Sequence, residues 1–296
     1  VTTQAYRDCL RDGGFDDAGQ WTRLRVAQED RRPALLDEAR RLVMSLSLPQ
    51  PLLDLVDREL DRLGIARHVS LAVRSSASDE DGSAASFAGV YRTTLGVARE
   101  DLSQAILAGW ASLWSEAALA YRLNRCAEGA VPAMAVILQP MLAPRAAGVA
   151  YSRHPITGEA GQVMVNAVAG LAEPLVSGTV TPDQYVVAVG EEAGSEHVVE
   201  RTIADPGHKA QVLNEPDLVA LARLVKTVER TMGCPADVEW AMDGRETWLL
   251  QARPIPSSRP RRSTDGLVWS RANFKETLPD VPSPLGLAFL DAFMET

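Results

Sequence analysis

Cysteine is scarce in this chain, with three in 296 residues. Cys9, Cys126 and Cys234 are odd in number, far apart and in no metal-ligand spacing. That excludes a disulfide framework or a zinc site and fits reduced thiols in a cytoplasmic protein. No run of 18 apolar residues occurs, so no membrane span is expected. Net positive charge is also missing. A balance of −9 excludes nucleic acid, whose binding rests on cationic surface. The one dense basic run, Arg259 to Arg262, lies among Ser and Pro and reads as a solvated linker. The Gly-Lys-Ser/Thr ending of a Walker loop is absent. The chain opens on Val1-Thr2-Thr3 without Met, signal or transit peptide, and reads as a trimmed piece of something longer. What is present is ordinary for a globular protein: 46% hydrophobic and 23% charged residues, in a chain long enough for about two lobes with real cores.

Periodicity sets the elements. Residues 1 to 66 read as helical. A helix starting at Pro51 carries Leu52, Val56, Leu60 and Leu63 on one stripe, with Gly64 after its end. His68 to Ser76 alternates as a strand, Val69, Leu71 and Val73 inward and Arg74 near its end. The small-residue stretch SASDEDGSAASFAG follows, and TTLGV resumes an extended pattern. Backbone N–H groups in such a loop can approach a phosphate while an Arg at the strand end supplies charge. The same composition also fits a plain surface loop. Glu100 to Arg122 reads as one helix with Trp110 and Trp114 in the core. Val131 to Met141 reads as a buried strand that stops pairing at Pro140. Its end then exposes backbone donors and acceptors of the kind that read an adenine. Ala147 to Tyr151 and Val163 to Asn166 are further strands, separated by a Pro/Gly turn in which His154 is a turn residue without catalytic work. Beyond a loop holding Glu173 and Asp183, a hairpin spans Tyr185 to Ile203 and an amphipathic helix runs from Asp217 to Met232, closed by Gly233.

The stretch Ala236 to Ile255 carries the most chemistry. Val238, Trp240 and Met242 alternate with Asp237 and Glu239 ahead of Asp243-Gly244, a strong hairpin signal. A two-residue turn sets the polar row of one strand over the apolar row of the other. A three-residue loop, Asp243 to Arg245, instead pairs Glu239 with Leu249 and gathers Glu239, Gln251 and Arg253 on one face. Register follows burial, so the odd-length loop is expected. A carboxylate, an amide oxygen and a guanidinium on rigid strands suit Mg²⁺ carrying a polyphosphate. They equally suit an ordinary half-buried hairpin with a polar face.

Four blocks resemble one family. VRSSASDEDGSAASFAGVYRTTLGV (73–97), GVAYSRHPITGE (148–159), AGLAEPLVSGTVTPDQYVV (169–187) and VEWAMDGRETWLLQARPI (238–255) are similar, in that order, to the N-terminal ATP-binding domain of phosphoenolpyruvate synthase, pyruvate phosphate dikinase and rifampin phosphotransferase. The resemblance runs from Val1 to Ile255. It implies an α/β (α+β) ATP-grasp fold, with lobes at 1–141 and 142–256 clamping ATP and Mg²⁺ between them. Residues 257–296 then form a linker and the start of a following acceptor-binding domain, since WSRANFKETLPDVPSPLG resembles the rifampin phosphotransferase layout. Position by position, the resemblance puts Arg74 and Arg253 on the phosphates as catalytic residues. Gly89 and Thr93 line the phosphate and ribose, Gln139 and Met141 border the adenine, and Glu239 and Gln251 take magnesium. The implied reaction cleaves ATP to AMP and passes phosphate through a histidine on another domain to a small-molecule acceptor. Two features depart from the family. The Gly-Gly-Lys loop expected ahead of Val1 is not in the chain. None of His68, His154, His197 or His208 has the Gly/Thr-rich setting of the carrier histidine. The chain is therefore not expected to complete the reaction alone. A non-catalytic nucleotide-binding regulatory module and an ATP-grasp ligase stand as alternatives.

Overall fold

Each of the first helices starts for a chemical reason. In α1 (Thr3–Asp12) the Thr2 hydroxyl accepts from the Ala5 amide, and in α2 (Asp17–Val26) the Asp16 carboxylate accepts from that of Gly19. Both α3 (Arg32–Met44) and α4 (Gln50–Arg62) carry proline in their first turn, where its missing N–H costs nothing. The structure, a computed structural model, describes residues 1–78, 91–125, 131–190, 194–204, 211–244 and 246–255. Gly89, Cys126, His208, the 259–262 basic run and the 257–296 tail lie outside them. Of the stripe read on α4, Leu60 is buried and Val56 is partly so, whereas Leu63 stands in solvent beyond the helix end.

A three-stranded sheet follows, ordered β2-β1-β3 from β1 (Leu71–Ala77), β2 (Thr93–Val97) and β3 (Met134–Pro140). Between β2 and β3 the expected single helix is two, α5 (Leu102–Ala111) and α6 (Glu116–Arg125). Serines cause the break. Ser112 bonds back to the Gly109 carbonyl, and extended Ser115 caps the next helix through the Ala118 amide. The interruption turns Leu113 and Trp114 into the first core, beside Tyr6, Leu10, Leu24, Leu36 and Trp110.

Pro140 does not end strand pairing. It stands opposite Leu71, and the Met141 amide one residue on donates to the Ser70 carbonyl at 2.9 Å. That donor is spent within the sheet, contrary to the expectation of a free one.

The second sheet has six strands in the order β7-β6-β5-β4-β8-β9: β4 (Ala146–Tyr151), β5 (Gln162–Ala169), β6 (Asp183–Ala188), β7 (His197–Thr202), β8 (Ala236–Met242) and β9 (Thr247–Pro254). All neighbours in both sheets are antiparallel, so the fold is mixed α/β of the α+β kind. The helix α7 (Glu173–Val176) belongs to a segment, 173–181, that groups apart from this body. One face of the six-stranded sheet is covered by α8 (Glu215–Met232), which opens on a reciprocal Asn214–Asp217 capping box and closes on left-handed Gly233. Leu218, Leu221 and Val225 of α8 meet Val163, Val165, Tyr185, Val238 and Trp240 in a second core. Gly148 makes that packing possible. A Cβ there would lie 1.9 Å from the Asn166 carbonyl and 3.1 Å from the Trp240 ring, so the indole fills the volume the glycine leaves. No helix among the described residues is long and apolar enough to cross a membrane.

Candidate functional site

The buried face of the second sheet leaves its opposite face to the polar residues. The β8–β9 register decides which of them meet. Met242 pairs with Thr247 across a four-residue loop, not the three-residue loop expected, and Trp240 pairs with Leu249. A β-bulge then lets Leu250 pass without a partner, after which Glu239 stands directly opposite Gln251 and Asp237 opposite Arg253. The loop itself is tied by Asp243, whose carboxylate accepts from the Glu246 amide and the Trp248 indole, each at 3.0 Å. Convergence of Glu239, Gln251 and Arg253 on one face is therefore present, though a bulge and not an odd-length loop produces it. The apolar rows coincide only in part, because Trp248 opposes Ala241 and is 40% exposed.

Arg74 completes the cluster from the other sheet. Its Nη2 donates to Glu239 Oε2 at 3.0 Å and to Gln251 Oε1 at 2.5 Å, across 165 and 177 residues of sequence. The Arg74 side chain is 17% exposed and that of Glu239 31%, so the pair is half-buried with one side toward solvent. Thr93 and Ile137 stand opposite Arg74 on β2 and β3, and Gln139 lies two residues from Ile137 on the same face. Thr93 is exposed and Gln139 half-buried. Met141, just past β3, is half-buried with its amide already bonded. Gly89 lies outside the described residues. Of the expected site residues, then, Arg74, Glu239 and Gln251 touch, Arg253 lies in the next cross-strand pair, and Thr93 and Gln139 share the Arg74 face of the first sheet.

Sequence reading placed Asp237 beside Glu239 but gave it no role. Its carboxyl is pushed up to about 6, first by burial, then by the negative Glu239, with Arg253 opposing. Asp237 Oδ1 is buried without a hydrogen-bond partner. Tyr151, opposite Asp237 on β4, is raised as well, by burial and then by that carboxyl. The signal was available in the i, i+2 spacing of two acids on one strand. Continuing across the sheet, Val149 stands opposite Glu239, Asn166 opposite Val149 and Gln184 opposite Asn166, the last two joined at 3.1 Å.

The donor set suits a hard cation. One guanidinium nitrogen already touches both the Glu239 and the Gln251 oxygens, so the two point at a single spot that favours positive charge. Among the described residues no three His, Cys, Asp or Glu side chains gather into a metal cage. His154 is a turn residue as expected, its Nδ1 accepting from the Ile156 and Thr157 amides. Asp183, expected in a loop, is a buried fastening at the start of β6 that accepts from the Tyr185 hydroxyl and the Ala204 and Val212 amides.

Similarity to known proteins runs the length of this arrangement. Over 98% of its residues the chain is 31% identical to rifampicin phosphotransferase of Bacillus cereus, covering 35% of that protein. It is 33% identical over 88% of its residues to the prodigiosin synthesizing transferase PigC of Serratia marcescens, covering 33%. Against phosphoenolpyruvate synthase of Pyrococcus furiosus it is 30% identical over 76%, covering 31%. The chain thus spans about a third of the length of these curated relatives. Residues 1–266 match the family model described as pyruvate phosphate dikinase, AMP/ATP-binding domain, and the chain belongs to that family.

Proposed function

We propose that this chain is the ATP-binding, phosphoryl-donating part of a dikinase-type phosphotransferase. In this reading ATP is cleaved to AMP, and phosphate passes through a histidine on another domain to a small-molecule acceptor bound outside the chain. The nucleotide lies in ATP-grasp fashion between lobes 1–141 and 142–256, and residues 257–296 lead into an acceptor-binding domain. The observation that carries the reading is the meeting of Arg74, from one sheet, with Glu239 and Gln251, from the other. An acid, an amide oxygen and a guanidinium converge where a triphosphate needs neutralising.

The residues divide the work by chemistry. Arg74 and Arg253 supply forked donors to phosphate oxygens. Glu239 and Gln251 hold Mg²⁺, which when bound neutralises charge on the polyphosphate. Gly89 and Thr93 line the phosphate and ribose, and Gln139 and Met141 border the adenine, Met141 through its side chain and carbonyl since its amide is engaged. Positioning and charge do the catalysis, and no general acid or base is required of the chain.

The test uses the intact protein. Glu239→Ala and Arg253→Ala are each expected to abolish ATP-dependent histidine phosphorylation, followed with labelled ATP. Near-normal rates in both variants overturn the assignment.

A further inference from the structure

We propose that Arg74 is a resident counter-cation that keeps Glu239 and Gln251 aligned and withholds them from free divalent metal until a polyphosphate draws its guanidinium away. The inference rests on the ATP-site reading above and adds to it a rule for the order in which ligands are accepted.

Geometry supplies the first part. Arg74 Nη2 contacts Glu239 Oε2 and Gln251 Oε1 together. The two oxygens that suit a hard cation are therefore already serving one. They are held by a side chain anchored on a different sheet, in mid-strand between Thr93 and Ile137. An arginine so placed fixes the rotamers of both partners before any ligand arrives, which removes part of the ordering cost of binding.

Charge supplies the second part. The cluster holds two acids, Asp237 and Glu239, and two guanidiniums, Arg74 and Arg253. A bare dication entering this balanced group meets repulsion from Arg74 and finds its oxygens taken. A polyphosphate reverses both effects. It offers Arg74 a bidentate anion, which a guanidinium fork prefers to one shared carboxylate oxygen and an amide. Once Arg74 has moved to phosphate, Glu239 and Gln251 face the cation site unoccupied by protein charge. Phosphate and metal must then strengthen each other's binding by the same factor, since coupling between two binding equilibria is reciprocal.

The experiment measures Mn²⁺ binding to the intact protein by the loss of the free-ion electron paramagnetic resonance signal, with and without a non-hydrolysable ATP analogue. Wild type is expected to bind Mn²⁺ alone weakly and to bind it tightly with the analogue. Arg74→Met is expected to bind Mn²⁺ alone about tenfold tighter than wild type, with the gain from the analogue cut about tenfold. Arg74→Lys keeps the charge but not the fork, and is expected to fall between them; it decides the matter if Arg74→Met does not fold. Affinity for Mn²⁺ alone within about twofold of wild type in the folded variants overturns the role of Arg74. Glu239→Ala separates this from failure of the underlying site. Undiminished Mn²⁺–analogue binding in that variant overturns the ATP-site reading, whereas loss of binding there with silent Arg74 variants overturns the Arg74 role alone.

Discussion

The helical region below the first sheet and the strand face of the second both gather charge out of water, and they treat their arginines differently. In the helical region Arg122 is 3% exposed, donates to the Leu113 carbonyl and the Tyr91 hydroxyl, and lies over the rings of Trp21 and Tyr91. Arg99, 8% exposed, bonds Asp57, Asp61 and the Ile65 carbonyl, fastening α4 to the turn before α5. Their partners are backbone carbonyls, a tyrosine hydroxyl, aromatic faces and two acids of α4 that also pair with Arg67. Arg74 is less enclosed, and its partners are an acid and an amide that face a common spot. A guanidinium held by backbone carbonyls and rings is architecture. One that engages two strong acceptors in a half-open place is the one to which we assign a ligand-linked role.

That contrast can be broken by mutation, and the largest effect belongs to the strand face. Glu239→Ala is expected to lower the rate of ATP-dependent phosphoryl transfer by about a thousandfold while leaving the urea unfolding midpoint nearly unchanged. Loss of stability on the scale of activity would merge the two regions into one class. Next is the helical region. Arg122→Ala is expected to cost about 3–5 kcal/mol in urea unfolding, since it removes a buried, fully engaged cation and leaves its carbonyl acceptor behind. A cost below about 1 kcal/mol would deny the architectural role. Gly148→Ala sharpens the comparison from the second core. Its Cβ has nowhere to go against the Asn166 carbonyl, and about 2–3 kcal/mol of destabilisation is expected in the same assay.

The smallest effect concerns Asp237, whose carboxyl is pushed up from the ordinary carboxylate range to about 6, mainly by burial. A raised carboxyl means the folded state binds more protons than the unfolded one between about pH 4 and 6. Stability contributed by the neutral form is thus present below about pH 4 and is lost as pH rises through about 6. Asp237→Asn removes that penalty. It is expected to stabilise the protein by on the order of 2 kcal/mol at pH 7. The difference from wild type should vanish near pH 4. Thermal unfolding of both proteins across that range measures it, and a difference independent of pH would show that burial of the charged form is not what the site costs.

Much of this was legible in the alternation of the chain. Strands β1, β2, β4, β6, β7 and β8 and helix α8 lie close to where the sequence pattern puts them. The polar face of β8 and β9 was legible too, although the route to it was not. A bulge leaves no mark in apolar patterning when its extra residue is Leu250, which reads as a regular member of the row. The break between α5 and α6 was hidden for a related reason, since Leu113 and Trp114 keep helical spacing through it. Arg74 could be suspected of binding phosphate from an expected place near a strand end, whereas it lies in the middle of β1, paired on both sides. Its contact with Glu239 joins residues 165 apart, and no local pattern encodes that.

The unpaired Leu250 has a consequence for how this hairpin tolerates change. Because the ladder slips by one residue between Trp240 and Glu239, the tip and the Glu239–Gln251 end follow separate registers. A residue gained or lost near Asp243 is therefore expected to shift the register of the tip before that of the Glu239–Gln251 pair.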